Sequence, residues 1–338
     1  MRKISLILLF TATYMITLAQ DPAIKEMKGV AQKELPKDTA HKDGWKKGGL
    51  ISLNLGQGGS RNWAAGAEKF SFSTAAFVNL FANKIHGKWS WNNNLDLAYA
   101  LVNTTSQGVR KNDDKIDFLS RVGYALGPKL DVSGILSFRT QFTDGFEYNY
   151  LGKGLQHRIS GLFAPAYVTL APGITWKPTS YFNVFISPIA ARWVIVSNNP
   201  YSYVYQGGVA PTGEIEVPLA TNYGVDPGQK VNIQLGAFLS ATFNKEIVKN
   251  VVYISKLELY SNYLKNKRPG EIGDGKARPG NVDVYWTNAF AMKVNKWLNV
   301  NYNFDLIYDD DIRQFGPNKN SAGVQLRSLL GVGFAAKF

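Results

Sequence analysis

The sequence predicts an all-β chain, a transmembrane antiparallel up-and-down β-barrel of about 12 strands, on three observations. Apolar residues recur at every second position over most of residues 48–338, the period of a strand whose two faces meet different surroundings. The alternating stretches run to ten residues and more, beyond the roughly five or six usual in soluble sheets. Segments between them are alternately short and long, as when tight turns line one side of a membrane and longer loops the other. An even strand count returns both termini to the short-turn side, which reads as the periplasm.

At the N-terminus, Arg2 and Lys3 precede an apolar run from Ile4 to Leu18, and Thr17-Leu18-Ala19 offers a small residue before a cut. That is the grammar of a secretory signal over residues 1–19, and the run falls short of the roughly 20 residues a spanning helix needs. Residues 20–47 are polar and Lys-rich and read as a flexible periplasmic arm; residues 48–338 then form the barrel. With no cysteine in the 338 residues, an acylated anchor, a disulfide framework and a Cys-zinc site are all excluded. The formal charge of +13 leaves anionic partners open without choosing among them.

The clearest strand runs from Lys88 to Leu101. Trp89, Trp91, Leu95, Leu97, Tyr99 and Leu101 share one parity, broken only by Asn93, and Lys88, Ser90, Asn92, Asn94 and Asp96 share the other. Ile51 to Leu55 opens the series and Phe70 to Leu80 follows, with further stretches over 116–126, 130–142, 168–176, 231–243, 251–263, 282–294 and 298–308. A strand near Tyr181 to Val196 is ambiguous, because Pro188 removes a ladder donor and favours an edge or a bulge. The run from Val324 to Phe338 is amphipathic and ends on an aromatic residue. It resembles the signal by which the barrel assembly machinery recognises its clients.

Alternating strands also build soluble sandwiches, but Trp89, Trp91, Tyr124, Phe142, Trp176, Tyr263, Tyr308 and Phe338 cluster at the ends of their apolar faces, as interfacial girdles require. The opposite parity carries Lys88, Asp96, Asp117, Arg121, Asp131, Arg139, Lys256, Glu258, Asp283, Lys293, Asp305 and Arg327, the candidates for lining the lumen. Lys88 with Asp96, Lys115 and Arg121 with Asp117, Arg139 with Asp131, and Lys256 with Glu258 are the expected pairs. They either fill the interior or line a narrow, weakly selective pore.

Asp43-Gly44-Trp45-Lys46-Lys47-Gly48-Gly49, Leu53-Asn54-Leu55-Gly56-Gln57-Gly58-Gly59 and Asn62-Trp63-Ala64-Ala65-Gly66, with Trp89-Ser90-Trp91-Asn92-Asn93 and Leu136-Ser137-Phe138-Arg139-Thr140-Gln141-Phe142, resemble a Bacteroidota outer-membrane family, domain of unknown function 3078. The resemblance covers about Asp43 to Phe338. It implies a Gram-negative outer-membrane location and brings no activity and no catalytic residue.

Chemistry is thinly signalled. The three histidines are His41, His86 and His157, and only His157, with Ser160 three residues on, resembles the start of a lipid hydrolase site. Gly56, Gly58 and Gly59 end a strand without a following helix and read as turn glycines rather than a phosphate loop. Asp309, Asp310 and Asp311 read as a solvated acidic run before a calcium site, so neither metal nor cofactor is expected. Lys265, Lys267, Arg268, Lys276 and Arg278 gather in one outer loop, where they would meet lipopolysaccharide phosphates or equally serve simple solubility. Nucleic acid is a poor partner, since the basic residues are dispersed.

A non-enzymatic barrel for transport, or a narrow channel for small solutes, is therefore the leading expectation. A subunit of an envelope assembly or secretion complex is the alternative, drawn from the arm and from Tyr201, Tyr203 and Tyr205 in the 197–230 loop. A surface lipid hydrolase is the third.

Overall fold

Strand after strand, the polypeptide in the computed structural model pairs with its predecessor until the sheet meets itself. It describes residues 43–59, 69–150, 155–197, 213, 219–226, 229–266, 275–293, 298–310 and 321–337. The strands are β1 (Gly44–Gly59), β2 (Phe70–His86), β3 (Trp89–Thr104), β4 (Gly108–Gly127), β5 (Leu130–Thr140), β6 (Gly145–Tyr150), β7 (Leu155–Ser160) and β8 (Ala166–Thr179). They continue as β9 (Phe182–Ile195), β10 (Val231–Val248), β11 (Val251–Asn262), β12 (Lys265–Asn266), β13 (Lys276–Ala277), β14 (Val282–Lys293), β15 (Leu298–Tyr308) and β16 (Gln325–Lys337).

The barrel order is β1-β16-β15-β14-β11-β10-β9-β8-β5-β4-β3-β2, and its strands fall on the alternating stretches of the sequence. β1 pairs with β2 along its whole length, from Gly44↔Ile85 to Gly59↔Phe70. Closure is made by β1 against β16 through Leu50↔Lys337, Ile51↔Ala336 and Ser52↔Ala335.

Among the described side chains of the barrel strands, one face points out and is apolar: Leu55 is 66% exposed and Ile233 56%. Apolar side chains in that number on the outer wall are the signature of a face that meets hydrocarbon rather than water. The outward Asn93 is satisfied by donating its Nδ2 to the Ala82 carbonyl at 3.0 Å. Around the short-turn end, Trp45 and Trp91 contact at 5.7 Å and Trp89 meets Tyr124 at 5.0 Å, an aromatic girdle with Lys47 and Lys84 beside it.

Several boundaries differ from the sequence reading. Gly44–Lys47 belong to β1 rather than to the arm, because the ladder with Ala82–Ile85 reaches them. The stretch 103–114 is strand for most of its length, since β3 and β4 stay paired up to a turn at Thr105–Gln107. The 143–165 segment carries the β6–β7 hairpin, and the basic loop carries the short β12–β13 ladder. Gly56, Gly58 and Gly59 lie within β1, where a Cβ on Gly58 would crowd the Ser71 hydroxyl.

The ambiguous strand resolves into β9 with a bulge. Gly236↔Ala190 is followed by Phe238↔Ser187, so β9 carries one residue more than its partner. Pro188 and Ile189 both face outward, while Ser187 and Ala190 are both buried inside. The bulge accommodates a residue without an N–H and shifts the inward parity from odd to even numbers. Opposite it, Gly236 sits so close to the Ser261 carbonyl that a Cβ would overlap it.

Candidate functional site: the barrel lumen

Inward-facing residues enclose a cavity of about 480 Å³ that reaches from Asn83 and Asn92, near the short turns, to Asp283 and Asp309, near the long loops. Asp96, Asp117, Arg121, Arg139, Lys256, Glu258, Asp283 and Asp305 all line it. Asp131 is buried at the short-turn end, and the side chains of Lys293 and Arg327 lie outside the described residues. Lys88 is placed differently: it occupies the turn after Gly87, is exposed, and sets its ammonium 5.9 Å from the outward Tyr124 ring. It cannot meet Asp96, eight residues along the same strand direction, because each residue advances the chain about 3.3 Å.

The charges are paired, in a pattern set by register. Asp117 receives Lys115 at 3.0 Å and Arg139 at 3.2 Å, since Asp117 and Arg139 are direct cross-strand neighbours. Arg139 therefore does not pair with Asp131, which takes Arg121 at 3.8 Å together with Lys177. Lys256 and Glu258 pair at 2.5 Å. Asp96 accepts from Asn79 at 2.7 Å and Asn94 at 3.0 Å.

Two contacts cross the lumen. Arg139 on β5 sets its guanidinium 5.2 Å from the Tyr285 ring on β14, five places away in the barrel order. Arg192 on β9 reaches Asp283 on β14 at 2.7 Å, donates its Nε to Gln234 at 2.5 Å, and lies 3.9 Å from the Tyr260 ring. These are bars across the bore rather than pairs along its wall. Arg192, Gln234, Tyr260 and Tyr285 escaped the sequence reading, Arg192 because its parity depends on the Pro188 bulge.

Alongside the bars the lumen has an apolar patch. Ile135, Ala171, Phe185, Ala190 and Tyr260 form one cluster, with Leu119 and Phe238 packed against it. Phe185 and Phe238 are in tilted contact at 6.1 Å.

The long-loop mouth is narrowed by chain folded into it. A short 3-10 helix, η1 (Leu219–Tyr223), packs Leu219, Ala220 and the following Val225 against Ala164, Val194 and Val196. Asn232, on the inner face of β10, donates to the Gly224 carbonyl at 2.8 Å, and the Tyr223 hydroxyl donates to the Ile159 carbonyl at 2.6 Å. Burial pushes the Tyr223 phenol up from its ordinary value, against the pull of the nearby Arg158 charge. Arg158 itself is buried and paired with Asp144 at 2.7 Å.

The remaining candidates are scattered. His157 belongs to β7 of the β6–β7 hairpin, opposite Glu147, and is 3% exposed; His86 pairs with Asp43 at 3.3 Å. His41, Tyr201, Tyr203, Tyr205, Asp311, Lys267 and Arg268 lie outside the described residues. Among the described residues no cluster of His, Asp or Glu has metal-site geometry. Asp310 instead accepts from Asn281 at 2.9 Å. Lys265 and Lys276 are exposed at the β12–β13 ladder.

A family model described as "Protein of unknown function (DUF3078)" matches residues 55–146, from the end of β1 into β6. It takes in the Leu55–Gly59, Trp89–Asn93 and Leu136–Phe142 motifs and leaves residues 43–54 and 147–338 outside, so it is narrower than the resemblance from Asp43 to Phe338. No curated protein matches. Among solved structures, an outer-membrane channel from Pseudomonas putida F1 aligns at 9% identity and TM-score 0.41, over 90% of this chain and 99% of that one. The translocator domain of the autotransporter NalP from Neisseria meningitidis aligns at 7% identity and TM-score 0.37, covering 93% of each. The NanC porin aligns at 12% and 0.35, over 84% and 98%. The barrel assignment itself rests on the closed strand ladder above.

Proposed function

We propose that the protein is a non-enzymatic outer-membrane barrel of a Gram-negative bacterium, with both termini periplasmic, that passes small solutes through a narrow lumen. The observation that carries this reading is the lined cavity running between the two ends of the barrel, polar where the bars cross it and enclosed by an apolar outer wall. A scaffold has no need of an internal cavity of that length, and a close-packed interior would leave none. Charges of both signs, each held by a partner, make the bore weakly selective between cations and anions. The exposed lysines at the β12–β13 ladder then face lipopolysaccharide phosphates outside the cell.

Purified protein reconstituted into planar bilayers gives small, stable single-channel currents with a reversal potential close to zero in a KCl gradient. Absence of both ion current and solute uptake in correctly folded, reconstituted barrels overturns the reading.

A further inference from the structure

The apolar patch of the lumen is the feature that simple ion passage leaves unexplained. Leu119, Ile135, Phe185, Phe238 and Tyr260 line the cavity from inward positions on five strands. Ile135, Phe185 and Tyr260 are buried, whereas Leu119 and Phe238, packed against them, are only half-buried and keep apolar surface toward the cavity. Such surface facing water in a bore is a standing cost, and it is removed by any solute that covers it. Next to the patch, toward the long loops, stand Lys115, Asp117 and Arg139, and Lys256 pairs with Glu258 along the β11 wall of the same cavity. A passing ion of either single charge meets its like as well as its opposite there. A molecule carrying both charges meets a complement for each.

We propose that the lumen is a selectivity site for small zwitterions with an aromatic or bulky aliphatic side group, molecules of amino-acid or dipeptide size. The side group lies on Phe238 and Leu119 while the ammonium and carboxylate engage the neighbouring ion pairs. A cavity of about 480 Å³ is in the range that holds one such molecule at a time. This inference rests on the channel reading and adds the substrate class to it.

The test is uptake into proteoliposomes, corrected with protein-free vesicles, of phenylalanine, glutamine and phenyllactate, alongside KCl conductance of the same preparation. Phenylalanine enters about threefold faster than glutamine despite its larger ring, because the ring leaves water for the patch. Phenyllactate, with the same ring but no ammonium, enters more slowly than phenylalanine. Phe238→Ser removes the advantage over glutamine, and Phe238→Leu retains most of it. Equal or reversed rates for phenylalanine and glutamine with conductance intact overturn the side-group preference and leave the channel standing. Equal rates for phenylalanine and phenyllactate overturn the zwitterion requirement. Loss of conductance and of all uptake in the parent protein overturns the channel and this inference together. Should Phe238→Ser fail to assemble, the solute ranking in the parent protein still decides the question.

Discussion

The charged bars and the apolar patch share one lumen, yet they stabilise it in opposite ways. The Arg192–Asp283 contact joins strands three places apart in the twelve-strand barrel order, so it spans a quarter of the circumference and fixes the separation of those two walls, and each charge is the other's ion-pair partner. The patch of Ile135, Phe185 and Phe238 joins neighbours by contact alone, tolerates variation in shape, and depends on no single partner. Removing one half of a bar strands a charge, whereas trimming the patch only opens space.

That contrast sets the order of expected effects. Arg192→Ala leaves Asp283 without its ion pair and opens the outer part of the bore. Stability falls by roughly 3 kcal/mol, the lower figure for a buried pair deprived of one partner, as read by urea unfolding in lipid vesicles. Conductance rises, and the reversal potential shifts toward cation selectivity. Arg139→Ala has the same sign and a smaller size, because Asp117 keeps Lys115; the same two measurements separate the variants. Gly236→Ala leaves both features chemically intact but drives a Cβ into the Ser261 carbonyl. It lowers stability by about 2 kcal/mol, the range for overpacking, with little change in selectivity. Asn232→Ala frees the Gly224 carbonyl from its anchor. It costs about 1 kcal/mol, the net contribution of one hydrogen bond, and widens the mouth enough to raise conductance slightly.

How far the lumen was legible in the sequence follows from what period-two patterning contains. Parity assigns Asp96, Asp117, Lys256 and Glu258 to the inner face, and the structure puts them there. Parity says nothing about which strands are neighbours or in what register, so the partners of Arg121 and Arg139 were interchanged. Lys88 was misplaced for a different reason: strand parity does not hold in a turn, and the positive φ of 55° at Gly87 ends it. Inward apolar residues such as Phe185 and Phe238 left no signal, since in an amphipathic strand they read as lapses in the polar face. The hairpin at β6–β7 and the helix η1 were hidden in loops whose compositions fit no period.

The extra residue in β9 makes counting part of the chemistry. Past Pro188 and Ile189, every side chain of β9 owes its direction to one insertion. Deleting Ile189 would swing Arg192 from the water-facing interior onto the lipid-facing wall, where an arginine is destabilising to a degree that depends on its depth. The filter and the greasy coat of this wall thus trade places at a single step of the chain. A homologue lacking that step needs its arginine one position earlier or later to keep the bore barred.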